Sequence, residues 1–235
     1  MIEVGHASHT GLRRALNEDT YWADADLGLF LVIDGMGGYG RGEVAAALAR
    51  DTLVDAGHAD RDLETAIRGT GGEIAKLARR ASGNAPTGAA LALLKLERDH
   101  YAAACIGDTR IYLWRSGTLQ RLCLQDAGTA PNPDAGAEAN PKPGTPPPKR
   151  NRATQALGIT PAAELCAAPE RGPLERGVQF LLCSDGLSEE LVDARIAAVL
   201  ARTDLAAQEC VDHLLLAALD AGGRDNTSIV LVRMG

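Results

Sequence analysis

Residues 29–40 read Leu29-Phe30-Leu31-Val32-Ile33-Asp34-Gly35-Met36-Gly37-Gly38-Tyr39-Gly40. The unbroken apolar run Leu29 to Ile33 has the length of a buried strand and is too short for a helix. It stops on a carboxylate followed by glycine, the arrangement expected where backbone turns sharply or approaches a ligand. Gly35 to Gly40 also fits G-x-G-x-x-G, which in a dinucleotide-binding fold follows a strand and opens a helix. Two features oppose that reading. Asp34 would place negative charge beside the pyrophosphate, and no second strand ends in an acid about 20 residues on, where Asp51 and Asp55 fall in a helical pattern. The loop also lacks the Lys-Ser/Thr pair of a P-loop.

Working outward, further strand-like runs are Ala89 to Leu96, Tyr101 to Ile106, Ile111 to Trp114, Val178 to Cys183 and Ile229 to Val232. Gly117 joins Ile111 to Trp114 with Thr118 to Leu122 as a hairpin, which favours antiparallel pairing. Helical periodicity places Val192, Ile196, Val199 and Leu200 on one face, and Val211, Leu214, Leu215 and Ala218 on another. Gly222 and Gly223 end the last helix. A helix around Leu63, Ile67, Ile74 and Leu77 is weakened by Gly69, Gly71 and Gly72 at about 1 kcal/mol each. Sheets with helices packed outside are expected, in one domain over residues 1–235. Asp126 to Arg150, rich in proline, reads as a surface loop.

Composition narrows the function classes. With 235 residues, 46% hydrophobic, the chain can bury a full core. A net charge of -7 gives no footprint for a nucleic-acid backbone. No apolar run reaches the roughly 18 residues of a membrane span, and Met1 to Gly11 does not resemble a signal peptide, so a cytosolic protein is expected. Five cysteines without a C-x-x-C pair suggest neither a disulfide framework nor a zinc site, and Cys105 and Cys183 read as core residues.

The aspartates carry the chemistry. Asp34 and Asp185 each follow an apolar strand, and Asp225 precedes one. Any one could be a turn residue or helix cap. If their strands share one core, however, several carboxylates converge at its edge and repel unless cations neutralise them. Oxygen donors without imidazole or thiolate favour magnesium or manganese. His6, His9, His58, His100 and His213 show no ligand spacing. In Arg14-Ala15-Leu16-Asn17-Glu18-Asp19, Arg14 could grip two phosphate oxygens while Glu18 and Asp19 orient water on the metals.

Together, Arg14 to Asp19, Asp34-Gly35-Met36-Gly37-Gly38, Gly107-Asp108-Thr109-Arg110-Ile111-Tyr112, Cys183-Ser184-Asp185-Gly186-Leu187 and Gly222-Gly223-Arg224-Asp225-Asn226-Thr227 resemble the protein phosphatase 2C family, and its bacterial branch most closely. The motifs occur in family order and span nearly the whole chain. The resemblance implies an α+β, four-layer αββα sandwich of two antiparallel sheets flanked by helices. It implies a protein serine/threonine phosphatase in which a water bridging two manganese or magnesium ions attacks phosphorus. Asp34 would bridge the ions, the Gly35 carbonyl would bind one, and Asp185 and Asp225 the other. Glu18 and Asp19 would act largely through metal-bound water, and Asp108 with Asp185 would hold a third, weaker ion. Arg14, with Asn226, would bind the substrate.

The same resemblance makes residues 126–150 a flap that governs which phosphoproteins enter, just before the matching stretch Asn151 to Gly158. It implies phosphorylated proteins and a cognate Ser/Thr kinase as partners. Met36 departs from the pattern of animal members, which carry a histidine there, so the leaving-group proton would come from metal-bound water. Gln125-Asp126-Ala127 and Pro86-Thr87-Gly88-Ala89 also depart, at positions away from the expected ligands. A different class of function, a weakly catalytic scaffold that binds phosphoproteins, would not require the whole acidic set.

Overall fold

A computed structural model describes residues 1–38, 41–80, 86–124 and 155–235. The expected flap at 126–150 lies outside these residues, as do Tyr39 and Gly40, Gln125, and residues 151–154 of the stretch after the flap. The described chain begins with β1 (Ile2–His9), β2 (Asp19–Asp24) and β3 (Leu29–Met36), followed by α1 (Arg41–His58) and α2 (Leu63–Arg80). Next come β4 (Gly88–Leu96), β5 (His100–Ile106), β6 (Arg110–Arg115) and β7 (Thr118–Arg121). After residue 155 follow β8 (Glu170–Pro173), β9 (Gln179–Cys183), α3 (Asp185–Ser188), α4 (Asp193–Leu200), α5 (Ala207–Ala221) and β10 (Thr227–Met234).

Two five-stranded sheets result, ordered β1-β10-β9-β6-β7 and β2-β3-β4-β5-β8. Every strand pairing described is antiparallel. β3 and β4 flank the two-helix excursion of α1 and α2, yet they pair antiparallel. The parallel β-α-β crossover that a dinucleotide site needs is therefore not built on the glycine loop.

Strand alternation sorts the side chains into layers. Phe30, Val32, Ala92, Leu94, Phe180, Leu182, Val230 and Val232 share the core between the sheets. Their neighbours Leu29, Leu31, Ile33, Leu91 and Leu93 turn outward to meet α1 and α2. Leu181, Cys183, Ile229 and Leu231 meet α3, α4 and α5 across the other sheet. The result is the expected αββα sandwich. Because β3, β4, β9 and β10 are covered on both faces, they read as continuous apolar runs. Cys105 and Cys183 are buried in these layers, and burial pushes the Cys183 thiol up to about 12. Val192 departs from expectation: it precedes α4 as its N-cap and is 72% exposed. Among the described residues no helix is long and apolar enough to cross a membrane.

Helix α2 forms across its three glycines because Ala66, Ile67, Thr70, Gly71 and Ile74 bury one face. Tertiary packing of that stripe outweighs the propensity loss. A β-carbon on Gly72 would meet no atom within 4 Å, whereas one on Gly158, at φ +83°, would lie 2.3 Å from Ile74 Cγ2. Gly72→Ala should accordingly raise unfolding free energy in urea by about 0.5–1 kcal/mol, while Gly158→Ala should lower it.

Candidate metal centre

Asp19 opens β2 directly opposite Asp34 near the end of β3. Opposed residues in an antiparallel pair project from the same face. Alternation along the two strands puts both carboxylates on the face of Tyr21, Phe30 and Val32, toward the core between the sheets. Ser184 beyond β9 and Ser228 in β10 continue the inward-facing rows of their strands. At this end the inter-sheet layer thus changes from hydrocarbon to carboxylates and hydroxyls. Ala90, on the other flank of Asp34, is fully buried and small enough to leave room.

Glycines bring in the remaining acids. Gly107, at φ +91°, lets the turn after β5 pass so close to β4 that a β-carbon would sit 2.7 Å from Ala90 Cβ, and Asp108 follows it. Asp185 opens α3, whose Gly186 packs against the loop before β10: a β-carbon there would fall 2.0 Å from the Asn226 carbonyl oxygen. That contact sets Asp185 beside the loop that carries Asp225.

The carboxylates feel one another. Burial raises Asp34 well above the usual carboxylate range, and the charges of Asp19, Asp185, Asp108 and Asp225 raise it further. Burial likewise pushes Asp19 up to about 6, partly offset by the Ser184 and Ser228 hydroxyls and reinforced by Asp225 and Asp108. Asp185 is pushed up to about 7 by burial and by Asp108, Asp225, Glu189 and Asp19. Both Asp19 oxygens and Asp185 Oδ1 are buried yet accept no hydrogen bond of good geometry. Among the described residues no three His, Cys, Asp or Glu side chains close into a preassembled ligand cage. The donor set nevertheless fits hard divalent cations: it is all oxygen, multiply anionic, and holds buried lone pairs without a hydrogen bond of good geometry.

The N-terminal loop completes the mouth. Arg14 Nη2 donates to Asp225 Oδ2 at 2.5 Å, with its side chain 48% exposed. Glu18 Oε1 accepts from the Gly42 amide at 3.1 Å, an anion at the first turn of α1. The Glu18 carbonyl accepts from Gly35 N–H at 3.1 Å. Gly35 and Gly42 interlock here, since a β-carbon on Gly35 would stand 2.1 Å from the Gly42 oxygen.

Asn226 is held by three backbone groups. Expected to bind substrate beside Arg14, it donates both amide hydrogens to the carbonyls of Thr10 (2.8 Å) and Leu16 (2.9 Å), and its Oδ1 accepts from Glu18 N–H (2.9 Å). With its donors committed, Asn226 braces the loop that carries Arg14 and Glu18. Residue-type reasoning also passed over the hydroxyl chain beneath the carboxylates. Ser184 Oγ accepts from Ser228 N–H at 2.9 Å, Ser228 Oγ meets Ser8 Oγ at 2.8 Å, and Asn17 Nδ2 donates to Ser8 Oγ at 2.8 Å. Ser184 was visible only as a member of the Cys183-Ser184-Asp185 motif.

The raised carboxyls fix the sign of a pH effect. A carboxyl that binds its proton more tightly folded than unfolded contributes stability below its unfolded pKa, and that stability is lost as pH rises through the folded value. The melting temperature of metal-free protein should therefore fall between pH 5 and pH 7.5, the window set by Asp19 and Asp185. The exposed His100 shifts upward beside Asp99 and acts in the same direction. Asp19→Asn and Asp185→Asn isolate the site's share by flattening the slope; an unchanged slope in both would place its origin elsewhere.

Comparison with known proteins agrees with this fold. The Protein phosphatase 2C profile matches residues 13–219. The serine/threonine protein phosphatase PstP of Mycobacterium tuberculosis H37Rv is 31% identical over 243 residues, covering 98% of this chain and 45% of that protein. The chain thus spans about half the length of the first curated relatives it matches. The catalytic domain of PstP in complex with two manganese ions superposes with a TM-score of 0.80 at 28% identity, covering 99% of both chains. PppA, a key regulatory component of the T6SS in Pseudomonas aeruginosa, gives 0.80 at 26% identity, covering 100% of this chain and 98% of the other. Sequence motifs, fold and profile agree that the chain belongs to the protein phosphatase 2C family.

Proposed function

We propose that this chain is a metal-dependent phosphatase that removes phosphate from phosphoserine and phosphothreonine in proteins. The observation that carries the reading is Asp19 and Asp34, side by side on one face with Asp185 nearby, where buried oxygens of Asp19 and Asp185 lack a hydrogen bond of good geometry. In this reading Asp34, the Gly35 carbonyl, Asp185 and Asp225 hold two manganese or magnesium ions. Glu18 and Asp19 support them through water, and Asp108 with Asp185 holds a third. When bound, the ions supply Lewis-acid stabilisation of phosphoryl oxygens and a water of lowered pKa as nucleophile.

The chain's own groups set the rest. Arg14 stands at the mouth, about half exposed, with a planar fork suited to two phosphoryl oxygens. Its partner Asp225 orients it from the acidic side, and Asn226 holds its loop. Met36, at the end of β3, has no proton to give a leaving group. Membership of the family supports phosphoprotein substrates and a cytoplasmic Ser/Thr kinase as the counterpart, and a net charge of -7 gives nucleic acid no basic surface to grip.

Hydrolysis of p-nitrophenyl phosphate should depend on added manganese or magnesium. Asp34→Ala should reduce kcat by about a thousandfold, within the range for losing one preorganised electrostatic element. Arg14→Ala should lower kcat/KM by roughly 10- to 100-fold, as expected for a lost charge-assisted hydrogen bond. Turnover that ignores added metal and survives Asp34→Ala would defeat the reading; tight phosphopeptide binding without turnover would identify a scaffold.

A further inference from the structure

Asp185 opens α3 and Asp225 lies in the loop before β10, and the two segments meet where Gly186 packs on the Asn226 carbonyl. Beyond the contacts that Ser184 and Gly186 make with Asn226 and Ser228, a side-chain ion pair also joins the segments. Glu190 Oε1 accepts from Arg224 Nε at 2.9 Å and from Arg224 N–H at 3.1 Å, and Oε2 accepts from Arg224 Nη2 at 2.9 Å. The Glu190 side chain is 2% exposed and that of Arg224 52%. Three hydrogen bonds on a buried carboxylate, two of them in a bidentate fork, make this ion pair geometrically unlike an ordinary surface pair.

Each end of the pair is tied to a predicted ligand through a short stretch of fixed backbone. Glu189 N–H bonds the Asp185 carbonyl at 2.8 Å, and Glu190 and Leu191 N–H both bond the Leu187 carbonyl, at 3.2 and 2.9 Å. Asp185 and Glu190 therefore ride on one rigid turn. Arg224 directly precedes Asp225. Its loop is held upstream by Gly223 N–H on the Ala218 carbonyl at 3.0 Å and by Leu12 N–H on the Gly223 carbonyl at 2.6 Å. Gly222, at φ +147°, lies against the Glu190 carboxylate and lets the chain turn there in a conformation that side-chain-bearing residues rarely adopt.

We propose that Glu190 and Arg224 are positioning residues that hold the segments of Asp185 and Asp225 at a fixed separation, preorganising the half of the centre that these two aspartates form. Neither side chain touches substrate or ion. The inference rests on the metal-dependent reading above and adds to it which residues set affinity at one of the two ions.

Calorimetric titration of manganese into Glu190→Gln, Arg224→Lys and Arg224→Ala tests it, beside the unaltered protein. Glu190→Gln keeps the shape and loses the charge; Arg224→Lys keeps the charge and loses the fork. One binding step should weaken about tenfold or more, the scale for removing a support behind a metal ligand, and the other should move by less than threefold. At saturating manganese, kcat and KM for p-nitrophenyl phosphate should stay within about threefold, while half-activation shifts to higher manganese. The double variant Glu190→Gln/Arg224→Ala should lose no more affinity than the worse single. Both steps unmoved within twofold, both steps weakened equally, or additive losses in the double variant would overturn the proposal. If Glu190→Gln does not fold, the partly exposed Arg224→Lys decides by the same criteria. An unaltered protein that takes up no manganese would instead overturn the underlying phosphatase reading.

Discussion

Like charge gathered at the end of a hydrocarbon layer is the constraint on which the rest of this structure depends. Two sheets pack apolar faces together over most of their length, and at one end the same inward rows change to Asp19, Asp34, Ser184 and Ser228. Such carboxylates are partly desolvated and close enough to repel one another, so their proton affinities rise together. A stable fold tolerates this where the charge is later neutralised, and an all-oxygen donor set of this kind is neutralised best by hard divalent cations.

The surrounding architecture keeps that arrangement from relaxing. Antiparallel register locks Asp19 to Asp34, so neither can move away without breaking a ladder. Glycines at 35, 107 and 186 allow backbones to approach where any side chain would collide, bringing loops from distant parts of the sequence to one mouth. Asn226 then ties the Arg14 loop to the base of β10 with three hydrogen bonds. Catalytic capacity in this reading is a property of rigid supports, with few of the supporting groups themselves chemical.

Much of this was legible in the sequence, and the exceptions have physical causes. β3, β4, β5, β9 and β10 announce themselves because sandwich strands covered on both faces are continuously apolar. β1 and β2 did not, since Ile2–His9 and Asp19–Asp24 are edge strands with polar residues on their open faces. β8, the four residues Glu170–Pro173, has no hydrophobic pattern and exists through its pairing with β5. In the site, the aspartates could be named because strand ends with glycine neighbours carry a signal. The work of Asn226 could not, because an amide committed to three backbone groups reads in sequence like one free for substrate. Glu190 and Arg224 lie 34 residues apart and meet only through the fold.

A crystal grown with manganese and measured at the manganese absorption edge tests the central claim most directly. The account predicts two strong anomalous peaks at the mouth, one between Asp34 and the Gly35 carbonyl and one reached by Asp185 and Asp225. An absence of anomalous density there, with Asp19, Asp34 and Asp185 instead protonated or paired to basic side chains, would contradict it.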